Sequence, residues 1–216
     1  MKQNNNTIVK KKKIPFETIK RLSLYLRTLK NQKQTGKENV LSSEITKYLN
    51  ITPEQFRKDL SYFGSLGKKG VGYNINLLIG NLETILGIYE EPKIALVGVG
   101  KLGSALLGYP GFLNFNLKVY CAFDTDLGKI GKVWEGVKIE DISKIDTIIP
   151  EQNIKIAIIT VPADFAQGIA EKLVNSGIKG ILNFAPVNLN LPKDILVRNV
   201  DMASELMTLT YIVKKM

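Results

Sequence analysis

The sequence predicts an α/β protein in which a small, basic, helical module precedes a larger parallel sheet covered by helices. Three observations predict it. Apolar residues recur at helical spacing through the first 88 residues. Beyond Pro92, short β-rich apolar runs alternate with helix-compatible segments. The charge divides at almost the same place: residues 1–86 hold 16 Lys+Arg against 6 Asp+Glu, while residues 87–216 hold 14 of each. The whole net charge of +10 therefore belongs to the first two-fifths of the chain. A basic module joined to a neutral one suggests a part that faces nucleic acid or a membrane surface.

The missing residue types exclude a block of chemistry. The 216 residues include no His and one Cys. No Ser-His-Asp triad, no His general base and no His-ligated metal can be built from this chain alone. A single Cys excludes a disulfide within the chain and a Cys-based zinc cluster, so no metal is expected. With 44% hydrophobic residues and a mean hydropathy near zero, the composition is that of an ordinary soluble globular protein. The apolar runs are too short for a membrane span and no signal pattern opens the sequence, which makes the cytoplasm the default expectation.

Residues 1–13, with Lys10 to Lys13 in a row, show no periodicity and read as a disordered basic tail. Without Lys2 and those four lysines the first part still carries an excess of +5. The first domain is expected over residues 14–88. Ile19, Leu22, Leu26 and Leu29 predict an amphipathic helix from about residue 16 to 31. Lys33 to Lys37 is a polar connector. Ser42 or Ser43 is expected to cap a short helix carrying Ile45, Tyr48 and Leu49. Thr52-Pro53-Glu54-Gln55 is the clearest helix start: Thr52 as N-cap, Pro53 at the first helical position, and Gln55 placed to complete a capping box. That helix is expected to run to about Phe63, with Gly64 ending it.

Two short helices joined by a tight turn, after a longer one, form the skeleton of a helix-turn-helix. In the third helix Phe56, Leu60 and Phe63 make an apolar stripe, and Glu54, Arg57, Lys58 and Ser61 a polar one. A recognition helix needs that division, with one side to dock it and the other to offer donors to base edges and phosphates. The following run from Gly64 to Tyr73 is glycine-rich and basic, and resembles the hairpin wing of a winged helix with Lys68 and Lys69 at its tip. A small helical bundle with a solvated charged face is the other account of these residues. A further helix is expected over 76–88, and Glu90-Glu91-Pro92 reads as a linker.

The second domain, residues 89–200, opens with the apolar strand Lys93–Val97 running into Gly98-Val99-Gly100-Lys101-Leu102-Gly103 and a helix-compatible segment. This strand–turn–helix setting gives the G-x-G-x-x-G pattern its meaning. Gly98 allows the turn, Gly100 lets the backbone approach a pyrophosphate, and Gly103 permits close packing of helix on strand. A second strand, Leu117–Phe123, leads to Asp124, about twenty residues past the last glycine, where a carboxylate accepts hydrogen bonds from a ribose and disfavours a 2′-phosphate. Strands at Ile156–Thr160, Gly180–Phe184 and Ile195–Val200, with a helix over Ala163–Ser176, complete a Rossmann-like parallel sheet that favours NAD(H). Coenzyme A or another adenine nucleotide is the competing ligand on this scaffold. Cys121 lies on the second strand and reads as a small core residue, not a redox thiol. No separate substrate domain and no acid–base dyad accompany the dinucleotide pattern, so an enzyme is not expected.

Several of these segments resemble one family. Ile14-Pro15, Ile19-Lys20-Arg21-Leu22, the run Phe56–Gly64, and Gly70-Val71-Gly72-Tyr73 are similar to the N-terminal domain of the Rex redox-sensing transcriptional repressors. The likeness continues through Gly98–Gly103, Gly108-Tyr109-Pro110-Gly111-Phe112, Ala122-Phe123-Asp124, Thr160-Val161-Pro162-Ala163, Gly177 to Pro186, and Asn199-Val200-Asp201. The resemblance implies a homodimeric repressor whose winged helices bind a pseudo-palindromic double-stranded operator when NADH is scarce. NADH binds as an effector that is not consumed, and releases the repressor. It implies a dinucleotide site formed by Gly98 to Gly103, Asp124, Thr160, Val161, Pro162, Asn183, Phe184, Ala185 and Pro186. It implies DNA contacts from Arg57, Lys58, Ser61, Tyr62, Lys68, Lys69 and Tyr73, and a C-terminal helix within 201–216 that is exchanged between subunits. A plain helix covering its own sheet accounts equally well for Met202, Leu206, Leu209 and Val213.

The resemblance also implies a switch made of Arg21, Tyr109 and Asp201. In that expectation Asp201 exchanges between an ion pair with Arg21, favouring DNA binding, and a hydrogen bond to Tyr109 in the NADH-bound form. Simpler roles exist for each: Arg21 on solvent or phosphate, Tyr109 in the core, and Asp201 as a helix cap. Two other functions remain in view, a small NAD-dependent oxidoreductase, and a coenzyme A or nucleotide-binding module whose basic part binds nucleic acid.

Overall fold

The structure is a computed structural model that describes residues 14–68 and 70–216. The expected basic tail and Lys69 lie outside the described residues. The chain divides into two compact units between Glu90 and Glu91, two residues beyond the boundary the linker suggested and within the same Glu-Glu-Pro stretch. Among the described residues no helix is long and apolar enough to cross a membrane.

The first unit contains α1 (Phe16–Gln34), β1 (Asn39–Val40), α2 (Ser42–Thr46), α3 (Pro53–Ser61), β2 (Tyr73–Asn74) and α4 (Ile75–Ile85). Its core is the apolar face of each helix: Leu22, Tyr25, Leu26 and Leu29 from α1, Ile45 from α2, Phe56 and Leu60 from α3, and Ile75, Leu78 and Leu82 from α4, all fully or almost fully buried. The Lys30–Glu83 ion pair at 2.8 Å ties α1 to α4 at the edge of this core. The three-helix skeleton expected from periodicity is present, with several corrections. Helix α1 runs a turn further than predicted, through polar residues that include Gln32, whose amide donates to the Glu44 carbonyl oxygen. Neither Ser42 nor Ser43 caps α2. Leu41 is the N-cap, and its N–H is accepted by Glu44 three residues on. Tyr48 lies beyond the end of α2 and is exposed.

The Thr52 side chain accepts the Gln55 N–H at 3.2 Å as expected, but the Gln55 amide does not return to the cap and instead donates to Asp59. Helix α3 ends at Ser61, and Gly64 follows with a φ of 105°. The wing turns tightly, with Lys68 and Gly72 exchanging both backbone hydrogen bonds at 3.0 Å. Its returning arm, β2, pairs antiparallel with β1, a strand not expected from the sequence.

The second unit is built on seven strands: β3 (Lys93–Val97), β4 (Lys118–Asp124), β5 (Val133–Trp134), β6 (Val137–Asp141), β7 (Ile156–Ile159), β8 (Gly180–Asn183) and β9 (Leu196–Asn199). Their order across the sheet is β5-β6-β4-β3-β7-β8-β9, all parallel except the short edge strand β5. Without that edge the chain runs out from β3 through β4 to β6, then returns to β7, β8 and β9, which is the Rossmann order. Ala95 and Val97 of β3 face one core layer with Ala166, Ala170 and Leu173 of α8 (Ala163–Asn175). Ile94 and Leu96 face the other layer, backed by Leu106 and Leu107 of α5 (Lys101–Leu107). A strand buried on both faces reads as a continuous apolar run, and β3 does so.

Helices α6 (Pro110–Leu113) and α7 (Ile145–Glu151) and the terminal α9 (Met202–Lys215) complete the unit. Every residue of α9 is exposed, so it does not cover its own sheet.

Candidate functional site

The parallel order places the C-terminal ends of β3, β4 and β7 side by side where the strand sequence reverses, which is where this sheet type holds ligands. The glycine turn leaves β3 there. Gly98 has a φ of 98°, and a Cβ on it would stand 2.8 Å from Val161 and 3.0 Å from the Thr160 carbonyl. A Cβ on Gly103 would collide with the Gly98 carbonyl oxygen, which is how α5 comes to lie so close to the strand end. Thr160 clamps the turn from the neighbouring strand, its hydroxyl donating to the Gly98 carbonyl at 2.7 Å. A Cβ on Gly100 would meet nothing within 4 Å, so the turn presents bare backbone to open space. The first-turn N–H groups of α5 have no acceptor inside the helix.

This turn forms one wall of a cleft of about 360 Å³ lined by Val97, Gly98, Gly100, Asp124, Thr125, Lys129, Ile142, Thr160, Val161, Pro162, Phe165 and Ile169. Asp124 stands at the end of β4 with its carboxylate organised by the turn itself. It accepts the Val99 N–H at 2.7 Å, the Asp126 N–H at 2.9 Å and the Lys129 ammonium at 3.3 Å. Burial pushes its acidity down, but those donors more than offset burial and hold the carboxyl below the usual carboxylate range. Asp124 is therefore an anion with one acceptor site left over, enough for a ribose hydroxyl. These residues fit a dinucleotide: exposed backbone donors for phosphates, a fixed carboxylate for a ribose, and the apolar Val161, Pro162, Phe165 and Ile169 for a flat ring.

Six expected dinucleotide residues line that cleft (Gly98, Gly100, Asp124, Thr160, Val161 and Pro162), and others do not. Val99 and Lys101 line a neighbouring hollow with Ser104, Lys129, Lys132 and Trp134. Gly103 is buried in the packing of α5, and Leu102 belongs to the same helix. Asn183 requires a correction: it is fully buried, and its amide is spent on the Ala185 and Val187 carbonyls, the Ala185 N–H and Asn199. It shapes the loop that carries Phe184, Ala185 and Pro186 and presents no group to a ligand. Val97, Thr125, Lys129, Ile142, Phe165 and Ile169 also line the cleft and are not among the expected residues; Phe165 and Ile169 have a signal, at i and i+4 on the helix after Thr160-Val161-Pro162. Among the described residues no cluster of His, Cys, Asp or Glu could hold a metal ion. Cys121 is buried and its thiol is pushed up to about 12 by that burial, with Glu140 adding to it, as suits a core residue.

In the first unit α3 presents Arg57, Lys58 and Ser61 to solvent. Arg57 is pre-aimed, donating to the Ser42 hydroxyl at 2.7 Å and to Glu54 at 2.6 Å. Ser61 spends its hydroxyl hydrogen on the Lys58 carbonyl. Tyr62 follows α3 as its C-cap and is half-buried, and Lys68 is exposed in the wing. Tyr73 requires a correction. Its ring meets Phe56 edge-on at 5.3 Å and covers Gly67, so it braces the wing against α3 and does not extend from it.

Each of the three switch residues has a partner inside its own unit. Arg21 forms a two-pronged ion pair with Asp59, at 2.6 and 2.8 Å. Tyr109, the N-cap of α6, is half-exposed and meets Phe112 edge-on at 5.1 Å. Asp201 is the N-cap of α9 and accepts the Ser204 N–H at 3.0 Å.

A helix-turn-helix unit and a Rossmann-like ligand cleft in one chain define a ligand-responsive transcription regulator. Comparisons with known proteins agree. The family model described as a putative DNA-binding protein N-terminus matches residues 13–61, and that of a CoA binding domain matches residues 89–187. The Redox-sensing transcriptional repressor Rex of a Geobacillus species is 47% identical over 92% of this chain and 92% of its own length. That of Bacillus licheniformis is 45% identical over 94% of each. Among solved structures, the Rex-family repressor RSP in complex with β-NAD⁺ and operator DNA superposes with a TM-score of 0.86 at 32% identity, covering 94% of this chain and 93% of that one. RSP in complex with β-NADH gives 0.82 at 31%, covering 94% and 95%.

The chain belongs to the Rex family of redox-sensing transcriptional repressors. It is thus a repressor and not an enzyme.

Proposed function

We propose that this protein binds operator DNA through its winged-helix unit when NADH is scarce and releases it when NADH enters the cleft of the second unit. The observation that carries the reading is the bare backbone turn at Gly100 with the organised Asp124 carboxylate hydrogen-bonded beside it, both lining one apolar-walled cleft. RSP has been solved with β-NAD⁺ and operator DNA and with β-NADH, which supports the same ligands here. Bound NADH would lie with its phosphates on the first-turn N–H groups of α5 and its adenosine ribose on Asp124. In this reading backbone donors and one carboxylate hold the cofactor, which acts as an effector. The expected contact set at the DNA is Arg57, Lys58 and Ser61, with Tyr62, Lys68 and Lys69 beside them.

A homodimer follows from the same reading, because a pseudo-palindromic operator matches a two-fold protein and α9 leaves its apolar side chains uncovered. The cytoplasm is the compartment this function requires. The switch of Arg21, Tyr109 and Asp201 remains part of the proposal in amended form. The Nε and Nη2 groups of Arg21 serve Asp59, while Nη1 makes none of those bonds, so the expected ion pair with Asp201 does not require the pair with Asp59 to break.

The test is operator binding by fluorescence anisotropy on a duplex that the protein enriches from a randomised library, titrated with NADH, NAD⁺ and coenzyme A. NADH should weaken binding by a factor of about 5–150, with NAD⁺ and coenzyme A far less effective. Release by coenzyme A, or indifference to NADH, overturns the reading.

A further inference from the structure

Asp59 lies on α3 between Lys58 and Leu60, among residues that present the helix to solvent on one side and dock it on the other. Its carboxylate is fully buried. A buried carboxylate is costly unless every acceptor site is met, and here five hydrogen bonds meet it. Oδ1 accepts from Thr18 at 3.1 Å, Arg21 Nη2 at 2.8 Å and Gln55 at 2.8 Å. Oδ2 accepts from Arg21 Nε at 2.6 Å and the Tyr25 hydroxyl at 2.7 Å. Thr18, Arg21 and Tyr25 share one face of α1, spaced as i, i+3 and i+7.

An apolar residue in this position would dock α3 by contact that has no direction. A planar carboxylate gripped by the planar fork of an arginine fixes both rotation about the helix axis and sliding along the partner helix. Arg57, Lys58 and Ser61 are rigidly attached to the same short helix, so their reach is set by that rotation.

We propose that Asp59 is a positioning residue for operator recognition, and that the Asp59–Arg21 clamp sets the angle at which α3 offers Arg57, Lys58 and Ser61 to DNA. The clamp contributes to sequence preference and not to phosphate attraction. This rests on the reading of α3 as the recognition helix. It also makes Arg21 a handle on α3, since a force on the guanidinium is passed to the carboxylate it grips.

The experiment compares wild type, Asp59→Asn and Tyr25→Phe on two duplexes of equal length: one enriched by the wild-type protein from a randomised library, the other of random sequence. Asp59→Asn keeps the shape and removes the charge; Tyr25→Phe keeps the buried ring and removes a single donor. The preference for the enriched duplex should fall about tenfold in Asp59→Asn and about threefold in Tyr25→Phe. Affinity for the random duplex and the salt slope should stay within about twofold, because no phosphate contact is lost. Equal losses on both duplexes would mark a loss of folded protein alone and overturn the proposal, as would an unchanged preference in both variants. If Asp59→Asn does not fold, Tyr25→Phe decides the matter by the same criteria. A wild-type protein that enriches no sequence would overturn the recognition-helix reading and the clamp with it, a result distinct from either of the others.

Discussion

At the scale of single residues, the dinucleotide cleft is held by atoms that are absent as much as by those present. Gly103 is the sharpest case, because a methyl group there would enter the Gly98 carbonyl and the Thr160 hydroxyl that closes the turn. Gly103→Ala should cost about 1–3 kcal/mol through overpacking and weaken the NADH response of operator binding more than it lowers the melting temperature. A thermal melt beside an NADH titration checks both parts. The roles of Gly98 and Gly103 are legible in the sequence because a strand–turn–helix leaves them no alternative. The roles of Asp59 and Asn183 are not. Both are polar residues whose partners lie far away in sequence, Thr18 and Arg21 for the one and Asn199 for the other. A carboxylate three residues after Phe56, on the side of the helix that faces the core, is the trace that Asp59 leaves; periodicity weighs apolar positions and passes over it.

At the scale of elements, legibility follows length and neighbourhood. Helix α3 is readable from Thr52 and Pro53, since capping is local chemistry. Strand β3 is readable because five residues are flanked by a linker and a glycine turn. The β1–β2 pair escapes because two-residue strands have no period to detect. Strand β6 escapes because it is only five residues long and Glu140, a charged residue that reads as surface, is buried and held by Lys138 and Lys144. Helix α9 is legible as a helix from its apolar spacing, but that spacing does not distinguish a helix lying on its own sheet from the exposed one observed. Removal of Met202–Met216 should convert a dimer into a monomer and abolish tight binding to a two-half-site operator. Sedimentation of the full and shortened chains checks this, and a full chain that stays monomeric at every concentration would contradict it.

At the scale of the whole molecule, the uneven charge acquires a physical sense. The neutral second unit receives an anionic dinucleotide with oriented backbone and one carboxylate, while the excess of basic residues stays with the unit that meets DNA. The coupling between the two ligands is reciprocal by thermodynamic necessity. Operator DNA should therefore weaken NADH binding by the same factor by which NADH weakens operator binding. NADH titrations followed by its fluorescence, with and without saturating duplex, measure that factor, and an NADH affinity unchanged by saturating duplex would contradict the coupling.

The bare helix at the C-terminus also bears on how the protein is kept. A newly made chain displays Leu206, Met207, Leu209, Tyr211, Ile212 and Val213 to water, and such a surface invites chaperones, proteases and clumping until it is covered. Turnover should then be fastest when the protein is scarce, so that supply and lifetime rise together.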